Sequence, residues 1–314
     1  MNINLKINST IWIWACFLGF ISCSAPQELL KLEDPKNVYT HSGTEDFVLD
    51  SANDQLRLLI SCDERRALVA QGEIWEMDLK TEKSRKLILK FNSEHIAFHP
   101  HGISQFEDYL FVINHITDKE DEIIKFKIYK DSLVQVSSYK DGFIGEANDV
   151  FATGVDEFYY TNFKIFGGSV IHYANGKNSK DFKRLRLPNG IIMIDNHLFV
   201  SETIGNRLFD YDVDTGKREK IARIKGGDNI MVNDNILYIT AHTKFRSFMK
   251  HYKSSDNLSP SVVYQYDITS KELTQVYSEN GEVISACATA LVWNDQLYLS
   301  QVFENYITLF PLIK

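Results

Sequence analysis

Six short segments open on polar residues and run into apolar ones: Glu45-Asp46-Phe47, His101-Gly102-Ile103, Asn148-Asp149-Val150, Asn189-Gly190-Ile191, Asp228-Asn229-Ile230 and Ala288-Thr289-Ala290. Five of the six start with a side chain able to bind a ligand. Most donors in the set are carboxylate and carboxamide oxygens and none is a thiolate, which suits a hard cation such as Ca²⁺ better than zinc or copper. His101 adds an imidazole at one of these positions, and His115 closes the run Val112-Ile113-Asn114-His115. A neutral imidazole beside a Lewis-acidic cation is suited to take a proton from water. Singly, Asn-Asp, Asn-Gly and Asp-Asn are common turn dipeptides, and His99-Pro100-His101 could suggest a zinc pair. Against zinc, no acidic or thiolate partner stands at motif spacing. Against turns alone, the segments keep register with a repeat. No Gly-x-Ser-x-Gly elbow is present, so a serine nucleophile of that type is not indicated.

The repeat consists of runs of β-branched and aromatic residues, each led by an aspartate, at 54–60, 108–113, 156–161, 195–200, 234–239 and 295–300, spaced 39 to 61 residues apart. Such runs are strand chemistry. Most are followed about twenty residues on by another strand that ends near an acidic turn, as at 74–78, 208–212 and 263–267. A unit of this length with several short strands cannot bury both faces of its sheet alone and must stack on its neighbours. The sequence therefore predicts an all-β, six-bladed β-propeller with metal ions in its central channel; a sandwich would have no reason to repeat six times. In a propeller the innermost strands line the axis, so ligands some forty residues apart become one ring. Short helical pieces are expected only near 27–32 and 245–252.

The chain of 314 residues is 44% hydrophobic and 24% charged, with a formal charge of -8. That balance argues against nucleic acid or an anionic membrane surface as the main partner. Residues 1–22 read as a signal peptide: one charge at Lys6, an apolar run over 11–21 too short to span a bilayer, then small residues. Phe20-Ile21-Ser22-Cys23 resembles a bacterial lipobox, so the protein is expected to be exported and held at a membrane through a lipid on Cys23, with plain secretion as the alternative. Residues 23–42 then form a linker and propeller-closing segment, and 43–314 the propeller. Cys62 and Cys287 sit inside apolar runs and are expected to be free and structural.

These residues, in this order, resemble the paraoxonases, or serum arylesterases, which are calcium-dependent six-bladed propeller hydrolases acting on lactones and aryl esters. The likeness runs from about Glu45 to Phe303 and rests on Phe98 to Ser104, Val112 to His115, Asn148-Asp149, Asn189-Gly190, Asp228-Asn229 and the run 274–281. The resemblance implies two ions. A catalytic Ca²⁺ would be held by Glu45, Asn148, Asn189, Asp228 and Asn229; a deeper, structural Ca²⁺ would be held by Asp46, Asp149 and the backbone carbonyl of Ile103. It also implies that His101 is the base and His115 its supporting partner, and that the substrate is a small lactone or ester.

Two departures bear on the substrate. Residues 161–172 are short where paraoxonases carry an amphipathic helix that covers the site and contacts lipoprotein, and 243–261 is a basic, polar insertion that could wall the site instead. The family's terminal disulfide is also absent, because 307–314 holds no cysteine. A sugar lactonase of the gluconolactonase type and a propeller that only binds a ligand remain the alternatives, the former kept open by Arg65, Arg66 and the insertion.

Overall fold

The computed structural model describes residues 25–50, 55–67, 71–93, 97–116, 121–140 and 144–313, and within them the alternating runs pair into six separate sheets. The signal peptide and Cys23 lie outside the described residues. Four sheets are antiparallel meanders of four strands in chain order, at 44–86, 147–185, 188–222 and 227–279. The sheet at 100–139 gains a fifth strand, Ile88–Lys90, parallel to Ser132–Tyr139. In the last sheet, at 287–311, the fourth strand comes from the other end of the chain: Lys36–Tyr39 pairs antiparallel with Tyr306–Pro311. The first strands of the six sheets contact one another in a closed ring. The molecule is a six-bladed β-propeller, and its apolar residues are buried between neighbouring blades, as Leu58, Leu59 and Ile60 are in the first.

One irregularity recurs in every blade. Pairing between the first and second strands slips by one residue between Thr44 and Asp46, Pro100 and Ile103, Ala147 and Val150, Pro188 and Ile191, Gly227 and Ile230, and Cys287 and Ala290. These bulges fall on the six polar segments. A bulge takes residues out of the ladder and re-aims their side chains, which lets two consecutive polar residues serve the axis where a regular strand would turn one of them away. At Gly102 and Gly190 the first strands approach so closely that a Cβ would stand 2.6 Å from the carbonyl oxygens of Asn148 and Asp228 respectively; only glycine fits there.

Bulging frees backbone groups that must be paired, and buried hydroxyls on the second strands pair them. Ser61, Thr161, Ser201 and Ser300 accept the N–H groups of Asp46, Asp149, Gly190 and Thr289 at 3.3, 3.0, 3.0 and 2.9 Å. Ser201 also donates to the Asp228 carbonyl of the next blade at 2.6 Å, and Ser300 to that of Glu45 at 2.7 Å, so the hydroxyls staple blade to blade. Ser201→Ala would orphan a buried N–H and a buried carbonyl together. It is expected to cost about 2–4 kcal/mol in urea unfolding; a loss below about 0.5 kcal/mol, the usual surface effect, would remove the staple from the stability of the ring.

The expected helix near 27–32 does not form. The Glu28 and Leu30 N–H groups instead donate to the Gln275 and Val276 carbonyls at 3.1 and 2.8 Å, and Leu30 and Leu32 pack on the blade core, so the segment runs extended along an open strand edge. Helix α1 (Phe245–Lys253) forms in the basic insertion. Among the described residues no helix is long and apolar enough to cross a membrane. Cys62 and Cys287 are free and buried, and burial pushes both thiols up to about 12, which keeps them inert.

Candidate active site

The ring positions converge in two tiers. In the upper tier, Glu45 meets two nitrogen partners: His101 Nε2 lies 3.0 Å from Oε1, and the Arg65 guanidinium Nη2 lies 2.7 Å from Oε2. Burial would raise the Glu45 carboxyl, but the charges of His101 and Arg65 hold it well below the usual carboxylate range. Asn148 Nδ2 stands 3.4 Å from His101 Nε2. Across the channel, Asn189 Nδ2 donates to Asp228 Oδ1 at 2.5 Å and to Thr203 at 3.2 Å, while His242 Nε2 lies 2.8 Å from Asp228 Oδ2. Asn229 Nδ2 donates to Thr289 at 2.9 Å.

In the lower tier, Asp46 Oδ2 accepts the Ile103 N–H at 2.9 Å, and Oδ1 accepts from Phe47 and Thr289. Asp149 accepts the N–H groups of Val150 and Ile191, both at 2.8 Å. Burial pushes the Asp46 carboxyl up to about 7, with Glu45 adding repulsion; Asp149 is raised by burial and by the charges of Asp46 and Asp228. Both carboxylates line a channel cavity of about 170 Å³ with Ile103, Ile191, Ile230 and Met231.

The eight expected donor residues are thus brought to one axis, and seven of them, all but Asn148, are at most 8% exposed. Whether a hard cation fits can be read from unpaired atoms. Asn148 Oδ1 and Asn189 Oδ1 are buried without a hydrogen-bond partner, as is Glu45 Oε2, whose contact with Arg65 is an ion pair outside hydrogen-bond alignment. Buried oxygens without partners are costly, and the two carboxamide oxygens, with the Glu45 carboxylate, make an all-oxygen set of metal ligands. Among the described residues no group of three or more His, Cys, Asp or Glu side chains is placed to hold a metal, so a site here would draw on carboxamide or backbone carbonyl oxygens as well. That favours calcium over zinc.

The histidines stand at the rim. His101 Nδ1 and His115 Nε2 are 2.8 Å apart with their rings at 89°, and His115 Nδ1 lies 2.8 Å from Asp121 Oδ1. Burial lowers His115, so it is neutral near pH 7. A cavity of about 870 Å³ opens above, lined by the charged and polar Asp63, Arg65, His99 and Asp121 and by the apolar Ile116 and Phe163. Helix α1 is not part of that lining; Phe248 packs on His242 and Phe303, with ring centroids 4.3 and 5.6 Å apart, on the opposite side of the mouth.

The sequence reading missed His242, Asp63 and Asp121. A signal for the first two exists. The residue directly after each second strand, Asp63, His115, Phe163, Thr203, His242 and Val302, sends its N–H to the residue directly before the first strand of its blade, and so stands at the mouth. His242 is the fifth-blade counterpart of His115, and the repeat offset alone would have found it. Asp121 has no repeat counterpart to betray it.

Comparison with known proteins agrees with this geometry. A family model described as Arylesterase matches residues 67–309. Human serum paraoxonase/arylesterase 2 is 25% identical over 267 residues, covering 74% of this chain and 75% of its own, and the chicken (Gallus gallus) protein of that name is 28% identical over 275 residues with the same coverage. Among solved structures, a gluconolactonase of Xanthomonas campestris superposes with a TM-score of 0.61 at 13% identity over 92% of this chain and 97% of that one. A luciferin-regenerating enzyme gives 0.58 at 10% identity over 88% and 95%. These last two show the fold.

Proposed function

The chain belongs to the arylesterase family, and from that premise we propose that it is a calcium-dependent hydrolase of small lactones and carboxylic esters, aryl esters included. The observation that carries this reading is the pair of buried carboxamide oxygens on Asn148 and Asn189 without hydrogen-bond partners, together with the Glu45 carboxylate and the linked His101 and His115. Glu45, Asn148, Asn189, Asp228 and Asn229 would hold the catalytic ion, and Asp46, Asp149 and the Ile103 carbonyl the structural one. When bound, calcium supplies Lewis-acid polarisation of the substrate carbonyl and positive charge for the oxyanion. His101 takes a proton at Nε2 from the attacking water, and His115 orients the His101 ring through Nδ1. The apolar wall at Ile116 and Phe163 receives the acyl or aryl portion and keeps bulk water from it.

A second reading, a sugar lactonase, is favoured by one feature only: the wall of Asp63, Arg65, His99 and Asp121, whose charged groups could bind hydroxyls. The test is hydrolysis of an aliphatic δ-lactone, an N-acyl homoserine lactone, phenyl acetate and gluconolactone, with calcium and after chelation. Calcium-dependent turnover of the first three is expected. Turnover of gluconolactone alone would move the assignment to the second reading. Tight calcium binding with no turnover at all would leave a binding propeller.

A further inference from the structure

We propose that Arg66 is a positioning residue for substrate selectivity: it clamps the cavity wall of the first blade to helix α1 and so limits the size of the acyl group that the cavity admits. The size limit rests on the hydrolase reading; the clamp does not. Arg65 and Arg66 are adjacent and grip opposite things. Arg65 faces the channel, with Nη1 3.1 Å from Asp63 Oδ2, and Nη2 2.7 Å from Glu45 Oε2 and 2.9 Å from the Pro100 carbonyl oxygen. Arg66 turns outward. Its Nη1 donates to Glu304 Oε1 at 2.8 Å, Nη2 and Nε donate to the His251 carbonyl at 3.2 and 3.3 Å, and its guanidinium carbon lies 4.6 Å from the centre of the Phe303 ring. One side chain thus joins the first-blade segment that supplies Asp63, Glu64 and Arg65 to the cavity, the last turn of α1, and the sixth-blade loop that carries Phe303 and Glu304.

The helix needs this hold. α1 has nine residues, no side-chain cap at Lys244 and no acidic residue in its first turn, so its own propensity is too weak to keep it formed in water. It is kept by packing on the sixth blade, where Phe248, His251 and Tyr252 stand around Phe303 with ring centroids 5.6, 5.2 and 5.7 Å away. His251 is 2% exposed. The Asn257 carbonyl oxygen, 2.6 Å from His251 Nδ1, can only accept, so the ring proton lies there and Nε2 offers its lone pair to Arg66 Nη2 at 3.2 Å. A planar guanidinium can serve the carboxylate, the carbonyl and the ring nitrogen together while lying on an aromatic face; an ammonium cannot. With 21% of its side chain exposed, Arg66 is also shielded from much of the screening that weakens surface pairs. Arg66 does not line the cavity itself. It acts through its neighbours, Arg65 by the chain and Glu64 by the 2.9 Å bond from the Arg66 N–H to Oε1. Without the clamp, segment 63–66 keeps its inner bonds through Arg65 and loses its outer ones, so the wall can move away from the axis and a longer acyl chain fits.

Two readouts separate this role from general support. Trypsin cuts after Lys244, Arg246, Lys250 and Lys253, in or beside α1, only when that segment opens. In Arg66→Ala of the full-length protein, cleavage within 244–253 is expected about 10-fold faster than in wild type, with cleavage elsewhere unchanged. The ratio of kcat/KM for phenyl octanoate to that for phenyl acetate should rise about 10-fold, mostly through KM. Arg66→Lys keeps the charge but not the fork and should follow Arg66→Ala. Glu304→Gln removes one arm and should move both readouts the same way by about threefold, which keeps the test open if Arg66→Ala does not fold. Wild-type cleavage of α1 in these variants, or a uniform rise at every site, would overturn the clamp; faster cleavage of α1 with an unchanged ester ratio would overturn the size limit. If wild type with calcium hydrolyses neither ester, the functional reading falls and the size limit with it, while the cleavage pattern still decides whether Arg66 holds α1.

Discussion

Chelating divalent cations at pH 8 is expected to lower kcat/KM at least about 10³-fold and to lower the melting temperature by about 10 °C, with calcium restoring both. The thermal effect comes from the lower tier. Asp46 is buried among backbone donors and its carboxyl is pushed up to about 7 from an ordinary 3.8, while Asp149 rises with it. A folded-state pKa above the unfolded one means that the metal-free fold holds more protons than the unfolded chain across that window. Its stability is then full below about pH 4 with respect to these groups and is lost as pH rises through about 7. Glu45 does not share this behaviour, because His101 and Arg65 hold it ionised throughout. A cation bound between ionised Asp46 and Asp149 removes the penalty, so calcium should stabilise little at pH 5 and strongly at pH 8. At a thousandfold excess over Kd the linkage is about 4 kcal/mol, and for a chain of this size each kcal/mol moves the midpoint by about 2–4 °C. Parallel melting curves at pH 5 and pH 8, with and without calcium, make the check. A calcium shift of equal size at both pH values would take the lower-tier carboxylates out of the site.

Much of this arrangement was legible because a propeller converts sequence period into spatial symmetry. Alternating runs led by aspartate give the blades, and the polar segment ahead of each gives the axis. What was not legible is how two adjacent residues, such as Asp228 and Asn229, both serve the axis. Strand periodicity of two forbids it, and the bulge that permits it leaves only an indirect mark, the Ser or Thr near the end of the second strand in five blades: Ser61, Thr161, Ser201, Thr240 and Ser300. The segment 27–32 misled for another reason. Its local pattern suits a helix, yet a free strand edge at Gln275 and Val276 offers its N–H groups partners that a one-turn helix cannot supply. Asp121 was invisible because its meaning lies in a distance to His115 that only the folded loop sets.

His101→Gln is expected to lower kcat for lactones and esters by about 10²- to 10⁴-fold while leaving the calcium-induced rise in melting temperature within about 2 °C of wild type. Glutamine is close in reach and its amide can still donate to Glu45 Oε1, so the upper tier keeps its partner, but an amide cannot accept the water proton. Equal losses of activity and of calcium stabilisation would place His101 among the groups that hold the ion and remove it as base. Wild-type rates on every substrate would reject its role outright.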